Sequence, residues 1–397
     1  MNANCDIVII GGGPVGAALA LALRDSGLRI HLLEARKAEH ASADTRALAL
    51  SYGSRLLLAR LGVWSELANI SPIRAIHISQ KHSFGRTFLR ATELGVPELG
   101  YVMPYADLQA QLQAALQQPL SPNPSPACGR GECCYLTDAV VTQLHHSADA
   151  ATITYQHAGQ EHTLTARLAV VADGGKLLEA AYPPQVHDYG QSAVIAHVTC
   201  SHFQTDTAFE RFTMQGPVAL LPFGEGYELV WTAAHNAAQD MLQWSDADFC
   251  ARLHQHFGDR AGEFLSVGKR ACFPLRLKRA PGITLPHTVL LGNAAQTLHP
   301  VAGQGFNMGL RDAWELAQEI LDSLPEAIGS EAMLGAYRRQ RRMDHSGGIH
   351  FTDGLVRLFS NDLPLCNSAR GTSLSVLDCL PGAKKFVARR MMFGANG

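Results

Sequence analysis

The chain opens with a run, Cys5-Asp6-Ile7-Val8-Ile9-Ile10, that is apolar at almost successive positions. That is the pattern of a strand buried on both faces. Ala and Leu then recur at helical spacing over residues 14–25, and Gly27 is placed to stop the helix. Residues 29–34 read as a second buried strand, which completes a strand–helix–strand unit of about 30 residues. From residue 73 to 90 the pattern changes to strands alternating about a turn at 83–85, and residues 107–117 are helical again. Prolines at 119, 122, 124 and 126 make residues 118–131 a loop. Three short strands follow near 139–145, 152–156 and 162–166, and a buried strand at 168–172 ends in Asp173-Gly174. Residues 192–273 carry mostly alternating strands, interrupted by one helix at 246–257. Residues 288–291 return to the buried-strand type. Residues 305–321 form a long amphipathic helix with Leu310, Trp314, Ala317 and Leu321 on one face, and the tail from residue 332 is helical and basic. The fold class is therefore α/β, α+β overall: buried parallel-type strands from separated segments, with an antiparallel sheet threaded between them.

The turn after the first strand carries the first chemistry. Gly11-x-Gly13-x-x-Gly16 sits between a predicted strand and a predicted helix. The first glycine permits the tight turn, the second lets a pyrophosphate approach the backbone, and the third lets the helix pack on the sheet. The helix N-terminus offers free amides and a partial positive charge to phosphates. Glu34 ends the second strand where a carboxylate can accept ribose hydroxyls. A 2′-phosphate would be repelled by Glu34, so the nucleotide at this site is FAD or NAD. The bland alternative is a glycine-rich turn followed by an exposed glutamate.

A second motif decides between the two nucleotides. The run Gly292-Asn293-Ala294-Ala295-Gln296-Thr297-Leu298-His299-Pro300-Val301-Ala302-Gly303-Gln304-Gly305-Phe306-Asn307-Met308-Gly309-Leu310-Arg311-Asp312 resembles the flavin-contacting motif of the class A FAD-dependent aromatic hydroxylases. In that family a strand end places an Asp beside the ribityl chain, and the Gly-Gln-Gly turn opens a helix aimed at the flavin ring. A helix N-terminus suits the negative charge of a reduced flavin. Asn293 stands where the Asp is usual, and an amide still hydrogen-bonds a hydroxyl. Ala172-Asp173-Gly174 resembles the family's middle motif, although Gly175-Lys176-Leu177 lacks its following serine. Asp44-Thr45-Arg46-Ala47-Leu48 resembles a segment whose arginine lies near the flavin. At residues 104–107, where relatives place Arg, Asn or Gln against FAD, this chain has Tyr105-Ala106.

The resemblance covers nearly the whole chain and is strongest to the ubiquinone-biosynthesis hydroxylases, particularly those acting on a 2-polyprenyl-6-methoxyphenol. It rests further on Glu210-Arg211-Phe212-Thr213, Gly216-Pro217-Val218-Ala219-Leu220-Leu221-Pro222, Trp244-Ser245-Asp246 and Gly268-Lys269-Arg270. It implies a para-hydroxybenzoate-hydroxylase-like fold: a Rossmann-like FAD-binding domain from residues 1–72, 101–180 and 281–330, interleaved with an antiparallel β-sheet substrate domain from residues 73–100 and 181–280. A helical C-terminal tail, residues 331–397, completes it. The implied reaction uses NADH or NADPH and O₂ through a flavin C4a-hydroperoxide to hydroxylate the ring of a polyprenylated phenol. FAD contacts fall on Gly11, Gly13, Gly16, Glu34, Arg46, Asp173, Gly174, Asn293, Gly303, Gln304, Gly305 and Asn307. His299 and Pro300 are expected at the reactive edge, His299 as a candidate phenol base or as a hydrogen-bonding residue. Other readings stay open: hydroxylation at another ring position, a flavin reductase acting on an isoprenoid, or an FAD-stabilised subunit without catalysis in a ubiquinone-biosynthesis complex.

Composition narrows the setting. Of 397 residues, 47% are hydrophobic and 17% charged, and the formal net charge is -2, which excludes the basic field of a general nucleic-acid binder. Nine scattered cysteines form no disulfide framework. Cys128, Cys133 and Cys134 cluster in the proline-rich region without the second pair that a zinc site needs, so they read as loop cysteines and no metal site is assigned. With no spanning helix and no leader, a cytoplasmic enzyme is expected. The stretch from Lys384 to Phe393 mixes basic and bulky apolar residues. It reads either as a helix packed on its own domain or as a peripheral contact with acidic lipid on the inner face of the membrane, where the polyprenyl tail resides.

Overall fold

Every residue of the strand Cys5–Ile10 is buried, as befits a run that is apolar on both faces. The computed structural model describes residues 4–37, 44, 46–81, 83, 85–118, 133–298, 303–359 and 374–394, and this strand is the centre of its first sheet. Gln160–Val171 and Ile30–Leu33 flank it in parallel, and Thr288–Leu290 and Cys133–Leu136 extend the two sides, also in parallel. Segments far apart in sequence therefore share one sheet. Its two faces bury separate cores: Ile7 and Ile9 belong to one, with Leu19, Leu316 and Ile320, whereas Val8 and Ile10 belong to the other, with Val171 and Leu290.

Among the described residues the second sheet has nine strands. Gln185–Cys200 and Gly226–Ala234 lie at its centre, and Val218–Phe223, Thr207–Phe212, Ala75–Gln80 and Arg86–Arg90 run outward in that order. All of its pairs are antiparallel except Thr207–Phe212 with Ala75–Gln80, which is parallel because the two strands come from different passes of the chain. The helices His235–Gln243 and Asp246–Phe257 cover one of its faces through Ala238, Met241, Phe249 and Leu253.

Five features differ from the sequence pattern, the first being a second helix, His235–Gln243, ahead of the single one expected at 246–257. Residues 160–171 are one twelve-residue strand rather than two, because its first half pairs with the Ala151–His157 hairpin partner and its second half with Cys5–Ile10. Cys133 and Cys134 are not loop residues; they sit in the edge strand Cys133–Leu136, while Cys128 lies outside the described residues. A third sheet, Ala47–Ser51, Gly100–Pro104 and Ser71–Ile73, joins the first segment to the next. The motif helix, Gln304–Asp322, is covered by both Pro14–Ala22 and the long helix Glu331–Phe359. Its buried stripe is therefore wide and centred on Ala313, Leu316, Ala317 and Ile320, leaving Trp314 half-buried and Leu321 exposed. The terminal helix, Pro381–Phe393, packs Ala388 and Met392 against Leu89, Ala91 and Leu99. No helix among the described residues is long and apolar enough to cross a membrane.

Candidate active site

The C-terminal ends of Cys5–Ile10, Gln160–Val171 and Thr288–Leu290 lie side by side, the place where open parallel sheets hold ligands. Gly11 leaves the first strand with φ +106°, and a Cβ there would lie 2.6 Å from the Ala172 carbonyl oxygen. At Gly16 a Cβ would come within 2.0 Å of the Gly11 carbonyl oxygen, so only glycine allows the helix this close to the strand. Gly13 is different. Nothing lies within 4 Å of the Cβ position, and Gly13 is the N-cap of Pro14–Ala22 without a side-chain cap. Its surroundings are open backbone amides, the cradle a pyrophosphate requires.

Glu34 is buried beside this turn. Its carboxylate accepts the Gly12 N–H at 2.6 Å and the Arg36 backbone and Nε N–H groups at 2.9 and 2.8 Å. Burial raises its pKa, but the Arg36 and Gly12 bonds outweigh that and hold it below the usual carboxylate range. Gln109, which the sequence did not single out, donates its Nε2 N–H to the Gly12 carbonyl at 2.8 Å and so fixes the turn from the opposite side.

The second motif meets the first directly. Gly292, in a left-handed conformation, and Gly309 on the motif helix both pack against Val15, where added Cβ atoms would stand 3.3 and 2.9 Å from its Cγ2. Asn293 is exposed on the short turn between them. The Asp173 carboxylate accepts the Gly175 and Leu177 N–H groups at 2.7 and 2.8 Å, Gly174 takes φ +82°, and a Cβ on Gly175 would lie 3.7 Å from the Asn293 carbonyl oxygen. Arg46 is paired to Asp44 through Nε at 2.8 Å and lies 5.3 Å over the Phe273 ring. Its carbonyl accepts the Tyr105 N–H at 2.9 Å. His299 and Pro300 lie outside the described residues.

Gly303, left-handed at φ +60°, caps the motif helix without any side-chain cap, and the first turn carries no acidic residue. The amides of that turn therefore present partial positive charge to whatever lies in front of them. Gln304 donates Nε2 to the Met391 carbonyl at 3.2 Å. The Asn307 amide is engaged entirely with protein. Its oxygen accepts the Ser51 N–H and the Ser54 hydroxyl at 2.8 and 2.7 Å, and its nitrogen donates to the Ala49 and Gly303 carbonyls at 3.0 and 2.7 Å. Asn307 thus acts by fixing the Gly303 turn rather than by offering its side chain to a ligand.

In front of that turn lies a cavity of about 270 Å³. Its floor is the second sheet, and one cross-strand row of that floor runs Ile78, Glu210, Ala219, Val230. Its far wall is the terminal helix, through Val387, Ala388, Met391 and Met392. The lining is overwhelmingly apolar, as expected of a site for a hydrophobic ligand. Glu210 is its one ionisable side chain among the described residues, and no described group bonds its carboxyl. Loss of hydration pushes it up to about 7. In the sequence Glu210 stands out only as part of the segment Glu210-Arg211-Phe212-Thr213. Strand alternation puts Ala208, Glu210 and Phe212 on one face, but the opposite face is equally mixed, so alternation does not say which one lines the cavity.

The motif helix is anchored from behind by buried charge. Arg341 donates Nε to Asp312 at 2.8 Å and Nη2 to Asp344 at 2.7 Å, Arg311 donates to Asp344 at 2.9 Å, and the His345 Nε2 lies 2.7 Å from Asp312.

Comparison with known proteins places this geometry. Residues 4–346 match a family model described as FAD binding domain. The chain is 31% identical to the ubiquinone hydroxylase UbiL of Rhodospirillum rubrum, over 98% of this chain and 89% of that protein. It is 30% identical to the 3-demethoxyubiquinol 3-hydroxylase of Escherichia coli, over 94% of each. An uncharacterised Synechocystis protein is 34% identical over 99% of this chain and 94% of its own length. Among solved structures, p-nitrophenol 4-monooxygenase PnpA from Pseudomonas putida superposes with a TM-score of 0.75 at 16% identity, covering 100% of this chain and 99% of that one. Klebsiella pneumoniae HpxO complexed with FAD gives 0.74 at 17%, covering 99% and 100%.

Proposed function

This chain belongs to the FAD-dependent aromatic hydroxylases, in the family of the ubiquinone-biosynthesis hydroxylases, and from that premise we propose that it hydroxylates the ring of a polyprenylated phenol. The proposed substrate is 2-polyprenyl-6-methoxyphenol, with NADH or NADPH as reductant and O₂ as co-substrate. The observation that carries the reading is the apolar cavity that opens on the Gly303–Gln304 turn and contains one carboxyl.

The residues fit FAD. Gly11 and Gly16 are forced by close backbone approach, Gly13 leaves its amides open, and the motif helix presents an uncapped N-terminus. We assign the pyrophosphate to Gly11 and Gly13, with Gly16 holding the helix in place, the ribose hydroxyls to Glu34, and the ribityl region to Asn293 with the Asp173-Gly174 turn beside it. Bound FAD supplies the redox and oxygen-activating chemistry. The turn from Gly303 to Gly305 would stabilise negative charge on a flavin ring, Asn307 holds that turn, and Arg46 is assigned beside the flavin. The apolar walls exclude water and orient the phenol ring, and the prenyl tail lies along the aliphatic floor. Removing the gene tests the assignment. Accumulation of 2-polyprenyl-6-methoxyphenol by mass spectrometry is expected; accumulation of 3-demethoxyubiquinol would move the reaction to another ring position, and unchanged ubiquinone would overturn the reading.

The terminal helix also exposes Phe386, Lys385 and Arg389 while burying its other face. We assign to this exposed strip the peripheral contact with anionic lipid through which the substrate arrives. Charge reversal by K385E and R389E should lower binding to phosphatidylglycerol vesicles and leave FAD bound; unchanged partitioning would refute the contact.

A further inference from the structure

Glu210 occupies a position that packing alone disfavours. On the cavity floor its cross-strand neighbours are Ile78 and Ala219, with Val230 beyond. An apolar side chain there would continue the wall, whereas a half-buried carboxyl among aliphatic groups loses much of its hydration and gains no donor among the described residues. The described charged groups nearby belong elsewhere. Arg211 is bonded to Ser79 on the other face of the strand, where His77 also stacks on Phe88. Arg86 and Arg260 act on His77 from that side. Across the cavity, Lys384 of the terminal helix is held by Glu93 and Asp378 at 2.8 and 3.4 Å. The carboxyl thus faces the cavity, in common with the Gly303–Gln304 turn.

We propose that Glu210 is the catalytic residue that receives the phenolic hydroxyl: it accepts the O–H hydrogen bond and takes the proton as the ring is hydroxylated. The inference rests on the polyprenylphenol reading above. In the proton step the phenol O–H bond breaks, a carboxyl O–H bond forms, and no electrons leave the pair. As the product rearomatises, the hydroxylated ring carbon loses its proton to solvent and the carboxyl returns its own to the ring oxygen, which restores the carboxylate. A group pushed up to about 7 by desolvation is half-ionised near neutrality, the condition under which a general base is most effective.

The test uses FAD-loaded wild type, E210Q and E210L with 2-prenyl-6-methoxyphenol and its O-methyl ether, binding being measured by equilibrium dialysis at pH 8. Wild type should prefer the phenol by about 10- to 100-fold. E210L should lose that preference, and E210Q should bind the phenol but hydroxylate it about 10²- to 10⁴-fold more slowly. A wild-type preference in E210L, or a wild-type rate in E210Q, would overturn the proposal. Thermal melts with FAD verify that both variants are folded. Hydroxylation by wild type reads the function itself, whereas the phenol-over-ether preference reads Glu210, so the two failures are distinguishable.

Discussion

Asn307 donates its side-chain N–H to the Gly303 carbonyl oxygen, 2.7 Å away and one turn back at the mouth of the motif helix. The same amide ties down Ser51, Ser54 and Ala49, from a segment about 250 residues earlier in the chain. An N307A variant leaves buried donors and acceptors unpaired, so it should lose about 2–4 kcal/mol of stability. It should also release FAD more readily, because the Gly303 turn is freed. Urea unfolding and retention of flavin on gel filtration measure the two effects; a loss under about 0.5 kcal/mol would contradict the assignment.

The glycines of the first turn separate fold from cofactor. G13A should leave the cofactor-free protein as stable as wild type, since the new methyl meets nothing in the protein. It should nevertheless weaken FAD by about tenfold or more, because the methyl enters the space required by a pyrophosphate approaching the backbone. G16A should lower the melting temperature with or without FAD, because its methyl meets the Gly11 carbonyl oxygen at 2.0 Å. Equal effects of the two substitutions would refute this division of labour.

Much of this was legible in the sequence, for a physical reason. Close backbone approach at Gly11 and Gly16, and a left-handed conformation at Gly303, leave glycines at fixed spacings, and these marked the two turns. What depends on contacts remote in sequence left no such mark. The cavity wall is completed by a helix whose Met392 carbonyl accepts the Ser51 hydroxyl at 2.9 Å, across 341 residues. The third sheet joins strands too short to show a period, and the helix His235–Gln243 buries only Ala238 and Met241. Glu210 escaped notice because the Thr207–Phe212 strand has charged and apolar residues on both faces, and only the packed sheet shows which face lines the cavity.

The buried network behind the motif helix sets an acid limit. Burial raises the Asp312 pKa, but His345 and Arg341 outweigh it and hold the carboxyl well below its usual range. Asp344 is lowered by Arg311 and Arg341 against the same burial. Depressed carboxyls contribute stability that is complete above their unfolded pKa of about 4 and is lost as pH falls further. R341M should cost about 3–5 kcal/mol at pH 7, because it removes a buried cation that bonds both carboxylates and leaves Asp344 to Arg311 and Asp312 to His345. Its stability should also fall less steeply with acid than wild type's; parallel urea midpoints from pH 3 to 7 would contradict this.

Glu210 has the opposite sign. Its carboxyl is raised from 4.5 to about 7 by desolvation, so stability falls as pH rises between those values and the full cost is present above the upper one. That displacement corresponds to about 3 kcal/mol. E210Q should therefore be more stable than wild type at pH 8, by up to about 3 kcal/mol, and equal to it near pH 4.5. A pH-independent difference between the two proteins would show that Glu210 is not desolvated in the folded chain.

The central claim is that one oxygen atom of O₂ enters the ring of a prenylated phenol held in front of the Gly303 turn. FAD-loaded protein, NADH or NADPH, and 2-prenyl-6-methoxyphenol under ¹⁸O₂ test it most directly, with product mass read by mass spectrometry. The account predicts one ¹⁸O atom per hydroxylated product and oxygen uptake that depends on the phenol. Consumption of the nicotinamide without labelled product, or a reduced isoprenoid chain in its place, would contradict it.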